Sequence, residues 1–500
     1  MSEAKLELHQ INQRDNVAVA LCGIPVGHRF LMGENELVAR EDIPFGHKMA
    51  LKPISAAEAV VKYGSSIGRA TTKITPGDWV HSHNMKTGLD GKLDYVYEPV
   101  PKETEDLSGV ENTFEGFLRA NGEVGIRNEI WIIPTVACVN HTVQELAQQA
   151  SARHPELVDG IHAFPHNTGC SQMGEDEELS RRILTAIVQH PNAGAVLLVG
   201  LGCENSHMDT LLPYLGEYDR KRIRTMVTQD VQDELEIGLA ILDELAAVVA
   251  ADSRQPHPVS KLRIGMKCGG SDAFSGVTAN PLCGKISDRL SALGGTVILT
   301  EVPEMFGAEV SLINRAKDEE VFGKVTGLIN DFKQYYIDYG QPIYDNPSPG
   351  NKTGGITTLE EKSLGCIQKG GHATVTDTLD YGQGGRAGGV NLAIGPGNDS
   401  VSITNLVANG AHMILFTTGR GNPLGTAAPA IKISSNTPLY ERKKNWIDYN
   451  AGAMLEGKTM EEMRDELWSL VLEVASGKRK TRNETNGFRE IMVFKNGVML

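Results

Sequence analysis

No apolar run in this 500-residue sequence approaches the roughly 20 residues that cross a bilayer. Met1 to Gln10 has no apolar core segment of the kind a secretory leader carries. A membrane partner is therefore not expected. A basic stripe is missing too. The chain has 48 Lys and Arg against 63 Asp and Glu, a net charge of -15, which disfavours a nucleic-acid partner. Charge of this sign leaves open a small anionic substrate, which needs only a local basic cluster. Cysteine is scarce: seven residues without regular spacing, a usage that fits reduced thiols in the cytoplasm. Gly200-Leu201-Gly202 follows an apolar run, but Asn205 stands where a dinucleotide fingerprint needs its third glycine. No acidic residue lies suitably downstream to bind a ribose, so a nicotinamide-dependent oxidoreductase is a distant alternative.

What is present divides the chain into several domains, since a sequence of this length exceeds one core. The spacing of short apolar pieces and glycines over residues 12–97 predicts a small all-β module, with one short helix at Ile54 to Val61. Residues 98–116, rich in Pro, Lys, Glu and Asp, read as a linker. From Phe117 strands alternate with helical segments, which predicts α/β units with mainly parallel sheets. The first spans 117–253 and the second 259–500, with the proline-bearing segment Asp252 to Pro258 as the boundary. Val310 to Tyr336 reads as one long helix. Gln341 to Cys366 is too long and glycine-rich for an ordinary connection, which itself suggests function.

Chemistry-bearing residues collect where strand-like runs end. Cys138, Cys170, Cys203 and Cys268 each follow such a run and have polar neighbours; Cys366 has the polar neighbours without the run. Ligand crevices in open α/β sheets lie beyond the carboxyl ends of the strands, so the four strand-end cysteines are expected to converge on one crevice. In the first module, His47 with Lys48 and His81 with His83 and Asn84 are candidates. On a strand His81 and His83 would share a face and could grip one metal ion, although a pair of surface histidines beside a turn explains them equally well. Lys352 in a glycine-rich loop and Arg420 between glycines suit a carboxylate. Glu301, Glu304 and Glu309 cluster at a strand end, as metal or proton-transfer groups or as solvated acids of a helix start. The set suits metal-assisted chemistry on a polar, anionic small molecule.

The strings GHKMAL from Gly46, VVKYG from Val60, HSHN from His81, RANGEVGIRNEIWIIPTVACVN from Arg119 and GCSQ from Gly169 resemble the altronate/galactarate dehydratase family. So do VGLGCEN from Val199, CGGSD from Cys268, TEVPEMFGAE from Thr300, DNPSPGNKTGGITTLEEKSLGC from Asp345 and TTGRGNP from Thr417. The resemblance runs from about residue 14 to the C-terminus and extends to a sulfo-lyase acting on sulfolactate. It implies an N-terminal SAF (β-clip) module and a metal-dependent hydro-lyase acting on a sugar acid, altronate or the related galactarate. The implied cofactor is iron(II) (Fe2+), with manganese(II) (Mn2+) a possible substitute; read from the residues alone, Cys138, Cys170 and Cys203 after successive strands could instead hold an iron–sulfur cluster. The implied reaction is an elimination that turns D-altronate into 2-dehydro-3-deoxy-D-gluconate. Within the matched motifs, His47, Lys48, His83 and Lys352 become catalytic candidates, and Asn84, Arg127, Asn128 and Arg420 substrate-binding candidates. For the metal there are two alternative sets, His81 with His83, and Cys138 with Cys170 and Cys203. A homo-oligomer is compatible with the resemblance. Cys22, Cys283 and His28 receive no role.

Overall fold

A computed structural model describes residues 7–32, 35–101, 105–385, 388–497 and 499. Met1 to Leu6 and residues 102–104 of the expected linker lie outside the described residues. No described helix is long and apolar enough to cross a membrane.

The N-terminal module is all-β. Leu8–His9, Val17–Ala20, Lys48–Ala50 and Trp79–Val80 form a four-stranded antiparallel sheet. Ala59–Lys62, Ser65–Ala70 and Met85–Lys86 form a second sheet, and Arg29–Met32 pairs with Asn35–Val38 as a hairpin. Tight turns join these short strands. At Gly77 (φ 93°) a Cβ would lie 2.0 Å from the Val38 carbonyl oxygen, so only glycine fits that crossing. The helix expected at Ile54 to Val61 does not form. Ile54 bridges Ile74, and Ala59–Lys62 is a strand whose Val60 and Lys62 point inward. The apolar residues there follow period two, and the local clustering had suggested a helix.

The expected linker and the expected domain boundary meet in a single sheet. Thr113–Leu118 pairs antiparallel with Val124–Gly125 and with Gln255–Pro258. Pro256 and Pro258 are tolerated because their strand lies at the sheet edge.

The second domain carries a four-stranded parallel sheet in the order Ile161–Ala163, Glu129–Pro134, Ala193–Gly200, Ile223–Val227. Helices Asn140–Arg153, Glu175–Val188 and Glu234–Ala250 cover it. The third domain holds a seven-stranded parallel sheet in the order Val375–Leu379, Gly389–Ala393, Thr296–Leu299, Arg263–Cys268, Met413–Thr418, Ala430–Ser434, Tyr449–Asn450. Most of its strands are apolar and buried along their whole length, as expected where helices cover both faces. The long helix expected at Val310 to Tyr336 is broken into Val310–Ile313 and Glu319–Asp338, because Asp318 caps the second helix through the Val321 N–H. The C-terminal segment returns to the second domain, where Asp176 accepts from the Asn496 and Gly497 N–H groups.

Candidate functional site

In the third domain the first strand, Arg263–Cys268, lies in mid-sheet. The next strand in sequence lies on one side of it and Met413–Thr418 on the other. This is a topological switch point, where the carboxyl ends of the strands open a crevice. Cys268 ends the central strand there and is buried. Its Sγ lies 3.4 Å from Cys366 Sγ, at the end of helix Leu359–Cys366, and 3.0 Å from Glu304 Oε2, in the turn Val302–Met305. Among the described residues, Cys268, Glu304 and Cys366 are the single set of three metal-capable groups whose ligand atoms all lie within 4.8 Å of one another.

Buried lysines surround this set. Lys369 Nζ donates to Cys268 Sγ at 3.0 Å, and Lys362 Nζ contacts Glu304 Oε1 at 2.6 Å. Lys267 Nζ bridges Glu301 and Asp399, each at 2.5 Å. The hydrogen bond with Cys366 and the nearby lysines bring the Cys268 thiol down to about 6, against the effect of burial. Burial also works against charge on Glu304, but Lys362, Lys267 and Lys369 overcome it and hold that carboxyl below its usual range. Glu301 moves the other way: burial and the charge of Glu304 push it well up, so it readily keeps a proton. Its backbone is left-handed (φ 69°, ψ 65°), a conformation a non-glycine residue adopts only at a cost.

The N-terminal module closes over the same region. Lys48 and Lys62, both buried, share Glu361, whose two oxygens they reach at 2.8 and 2.9 Å. Lys48 also donates to the Gly355 carbonyl and to Thr357 Oγ1, each at 2.8 Å. One carboxylate cannot compensate two buried ammonium groups equally. Burial lowers Lys48 to about 8, whereas Lys62 is raised because Glu361 outweighs its burial. The two lysines in turn hold Glu361 down to about 2 in spite of its burial. His47 accepts from Trp79 Nε1 through Nδ1 and lies 3.2 Å from the Thr353 carbonyl through Nε2. His81 Nδ1 lies 3.1 Å from Thr357 Oγ1. Burial, followed by Lys48 and His47, takes His81 to about 4, so it is neutral. Glu361 and Lys362, adjacent on one helix, reach into the two clusters. Tyr63, Ser271, Asp272, Glu361, Lys362 and Cys366 line one cavity of about 10 Å3 between them. A larger cavity of about 460 Å3 lies at the opposite, strand-start edge of the second domain, where Arg119 and Arg222 are already paired with Asp252.

The structure therefore gathers His47, Lys48 and His81, with half-buried Lys352 beside them on helix Pro349–Thr353. His83, exposed in the turn after His81 and not on a shared strand face, packs its ring on Trp79 with centroids 5.2 Å apart, beside that group. Other candidates are engaged elsewhere or stand at the rim. Asn84 is used in that turn, accepting from the His81 N–H and donating to the Trp79 carbonyl. Arg127 is buried against Glu484 and the Val474 carbonyl, which ties the second domain to the third, and Asn128 against Arg119 and the Val249 carbonyl within the second domain. Arg420 is exposed at the rim of the crevice, its N–H bonded to the Gly270 carbonyl. Glu309 is tied up by Lys333 and Tyr95. Cys138, Cys170 and Cys203 lie at the other sheet and are exposed. Among the described residues, neither expected metal set forms part of a group of three metal-capable side chains with ligand atoms within 4.8 Å of one another; Cys268, Glu304 and Cys366 do. Sequence reasoning had noted those three one by one. Their convergence was not visible, because 98 residues separate the two cysteines.

A β-clip module closed over the switch point of a parallel sheet, with buried thiols, carboxylates and lysines beneath it, defines an α/β protein with an enzyme-like polar centre. Three family models match in succession. The altronate/galactarate dehydratase SAF domain matches residues 7–88, the D-galactarate dehydratase/altronate hydrolase second domain 116–250, and the D-galactarate/altronate dehydratase C-terminal domain 259–499. The chain is 47% identical over 494 residues to an altronate dehydratase of Bacillus subtilis (strain 168) and 46% identical over 495 residues to one of Escherichia coli (strain K12). Each match covers 98% of this chain and 99% of the relative. A galactarate dehydratase (L-threo-forming) of Escherichia coli (strain K12) is 35% identical over 508 residues, 97% of this chain and 96% of the relative. The chain belongs to the altronate/galactarate dehydratase family.

Proposed function

We propose that this protein is a hydro-lyase that removes water across C2 and C3 of D-altronate to give 2-dehydro-3-deoxy-D-gluconate, in the cytoplasmic breakdown of galacturonate. The observation that carries the substrate is the gap in similarity: 47% and 46% identity to two altronate dehydratases against 35% to a galactarate dehydratase, over nearly the same length.

The chemistry of the site supports an elimination, which needs a base for the C2 proton and an acid for the departing 3-hydroxyl. Lys48, brought to about 8 by burial, is the base, since a lysine with this pKa is in part a free amine near neutrality. Glu301, pushed up by burial and by Glu304, retains the proton that the leaving hydroxyl takes. Lys352 and Arg420 add positive charge at the rim for the substrate carboxylate. The small cavity is lined by Glu361, which pairs with Lys48, and by Lys362 and Cys366, which contact Glu304 and Cys268.

The residues present fit iron(II). Metal ligands must be deprotonated, and Cys268 and Glu304 are the thiol and carboxyl that their neighbours hold in that form. Cys366, pushed up by its hydrogen bond with Cys268 and by burial, would have to give up its proton on binding, and sulfur in the set favours iron over manganese, which prefers oxygen ligands. Such an ion would supply Lewis acidity that polarises the substrate carboxylate and acidifies the neighbouring C–H.

The test is turnover of D-altronate and galactarate, side by side, by protein supplied with iron(II) under reducing conditions, with 2-keto acid formation as the readout. Preferential turnover of altronate is expected. A large preference for galactarate would overturn the substrate assignment, and activity that required NAD would overturn the lyase.

A further inference from the structure

Free cysteine is among the most buried of residue types, so an exposed thiol calls for a reason. Cys138, Cys170 and Cys203 are all exposed, and all three lie at one place. Each follows one of three neighbouring parallel strands, Glu129–Pro134, Ile161–Ala163 and Ala193–Gly200, at the carboxyl edge where that sheet has its own switch point. We propose that these three thiols are the protein ligands of an iron–sulfur cluster, with one iron left free of protein ligands. This centre is distinct from the Cys268 site, and the inference does not rest on the proposed function.

The three loops are fixed to one another. The Ala137 N–H donates to the Thr168 carbonyl at 3.0 Å, and Asn140 Nδ2 to the His166 carbonyl at 2.7 Å, joining the Cys138 loop to the Cys170 loop. The Ser206 N–H donates to the Gly169 carbonyl at 3.0 Å, and the Ser171 N–H to Asn205 Oδ1 at 2.8 Å, joining the Cys170 loop to the Cys203 loop. Backbone that resists ordinary residues flanks Cys170 on both sides. Gly169 (φ 104°) is so close to Thr135 that a Cβ would lie 2.0 Å from its carbonyl oxygen. Ser171 is left-handed at φ 58° without being glycine. Glu204, buried, accepts from the Leu201 and Gly202 N–H groups and from Thr135 Oγ1, which fastens the turn that carries Cys203. Strain of this kind, held by a surrounding network, concentrates at functional sites.

The spacing does not suit a single ion held by all three thiols. Two thiolates on one ion stand at most about 4.6 Å apart, twice a metal–sulfur bond of about 2.3 Å. The three sulfurs do not all fall within 4.8 Å of one another. In a cluster each thiolate binds its own iron, so wider spacing is required. Donors to sulfur, which tune such clusters, are already in place: Gln229 Nε2 lies 3.6 Å from Cys203 Sγ, and Ser171 Oγ 3.9 Å from Cys170 Sγ.

The experiment uses full-length protein, purified without oxygen and incubated with iron(II) and sulfide. Acid-labile sulfide, iron and visible absorption are measured on it and on the Cys138→Ser, Cys170→Ser and Cys203→Ser variants and their triple combination. Stoichiometric bound sulfide with a visible chromophore is expected in the parent. The single variants should lose most of both and the triple variant should fall to background, with an unchanged far-UV spectrum and melting midpoint. Cys268→Ser should keep its sulfide, so failure of the other metal site is read separately. A parent that binds no sulfide, or a triple variant that binds as much as the parent, would overturn the proposal.

Discussion

At the carboxyl edge of the four-stranded sheet, three thiols face solvent; at the same edge of the seven-stranded sheet, Cys268 and Cys366 lie under a folded module and among buried lysines. The buried pair is split, Cys268 down to about 6 and Cys366 upward, because two thiols in contact do not ionise together. Topology alone therefore supplies a crevice, and what is packed over it decides the chemistry. The covering here comes from residues 313 and 299 positions away in sequence, through Lys48 and Lys62 on Glu361.

If the covered crevice is where reaction occurs, Lys48→Met should lower turnover of altronate by about 10²–10⁴-fold, the range for loss of a positioned base. In the parent, turnover should rise with pH through about 8, where Lys48 loses its proton, and that limb should vanish in the variant. A loss below about tenfold would place the reaction elsewhere. Glu361→Ala attacks the seam itself: it leaves two buried ammonium groups without their counter-ion and should cost about 3–5 kcal/mol in urea unfolding. The same carboxylate sets an acid limit. Its folded pKa is lowered from 4.5 to about 2, so its contribution is complete above pH 4.5 and is lost as pH falls from there toward 2. Parent stability that does not change across this window would contradict the pairing.

A subtler break is Gly355→Ala. The new Cβ would stand 2.3 Å from the Gly46 carbonyl oxygen at a φ of 94°, and the strain should cost about 1–3 kcal/mol, seen as a lower melting midpoint. The smallest effect belongs to His83→Ala. This exposed ring should change stability by less than about 0.5 kcal/mol, and turnover should remain near that of the parent. A large loss of turnover would return His83 to the reacting site.

The parallel sheets were legible because strands covered on both faces are continuous apolar runs, as in Met413–Thr418 and Ala430–Ser434. Motif strings carried the family. Local errors came where two periods compete, as at Ile54 to Val61, or where one capping residue splits an apolar stretch, as Asp318 does. Of the site, His47, Lys48 and His81 were legible as residue types beside turns. Glu361, Lys62, Lys362 and Lys369 were not, because a buried charge shows in sequence only as another Lys or Glu. Its partner is set by packing, across 313 residues for Lys48 and Glu361. His83, Arg127 and Asn128 were nominated by their motifs, which do not distinguish a residue that holds the scaffold from one that meets a substrate.

The shared carboxylate at Glu361 has a consequence for how the protein comes into being. A ribosome delivers Lys48 and Lys62 first and Glu361 only 313 and 299 residues later. Until then the two ammonium groups have no counter-ion to draw them inward, and the early β-module must keep them hydrated. The buried pairing therefore waits until the chain has been made through helix Leu359–Cys366, which follows only two of the seven strands of the third-domain sheet.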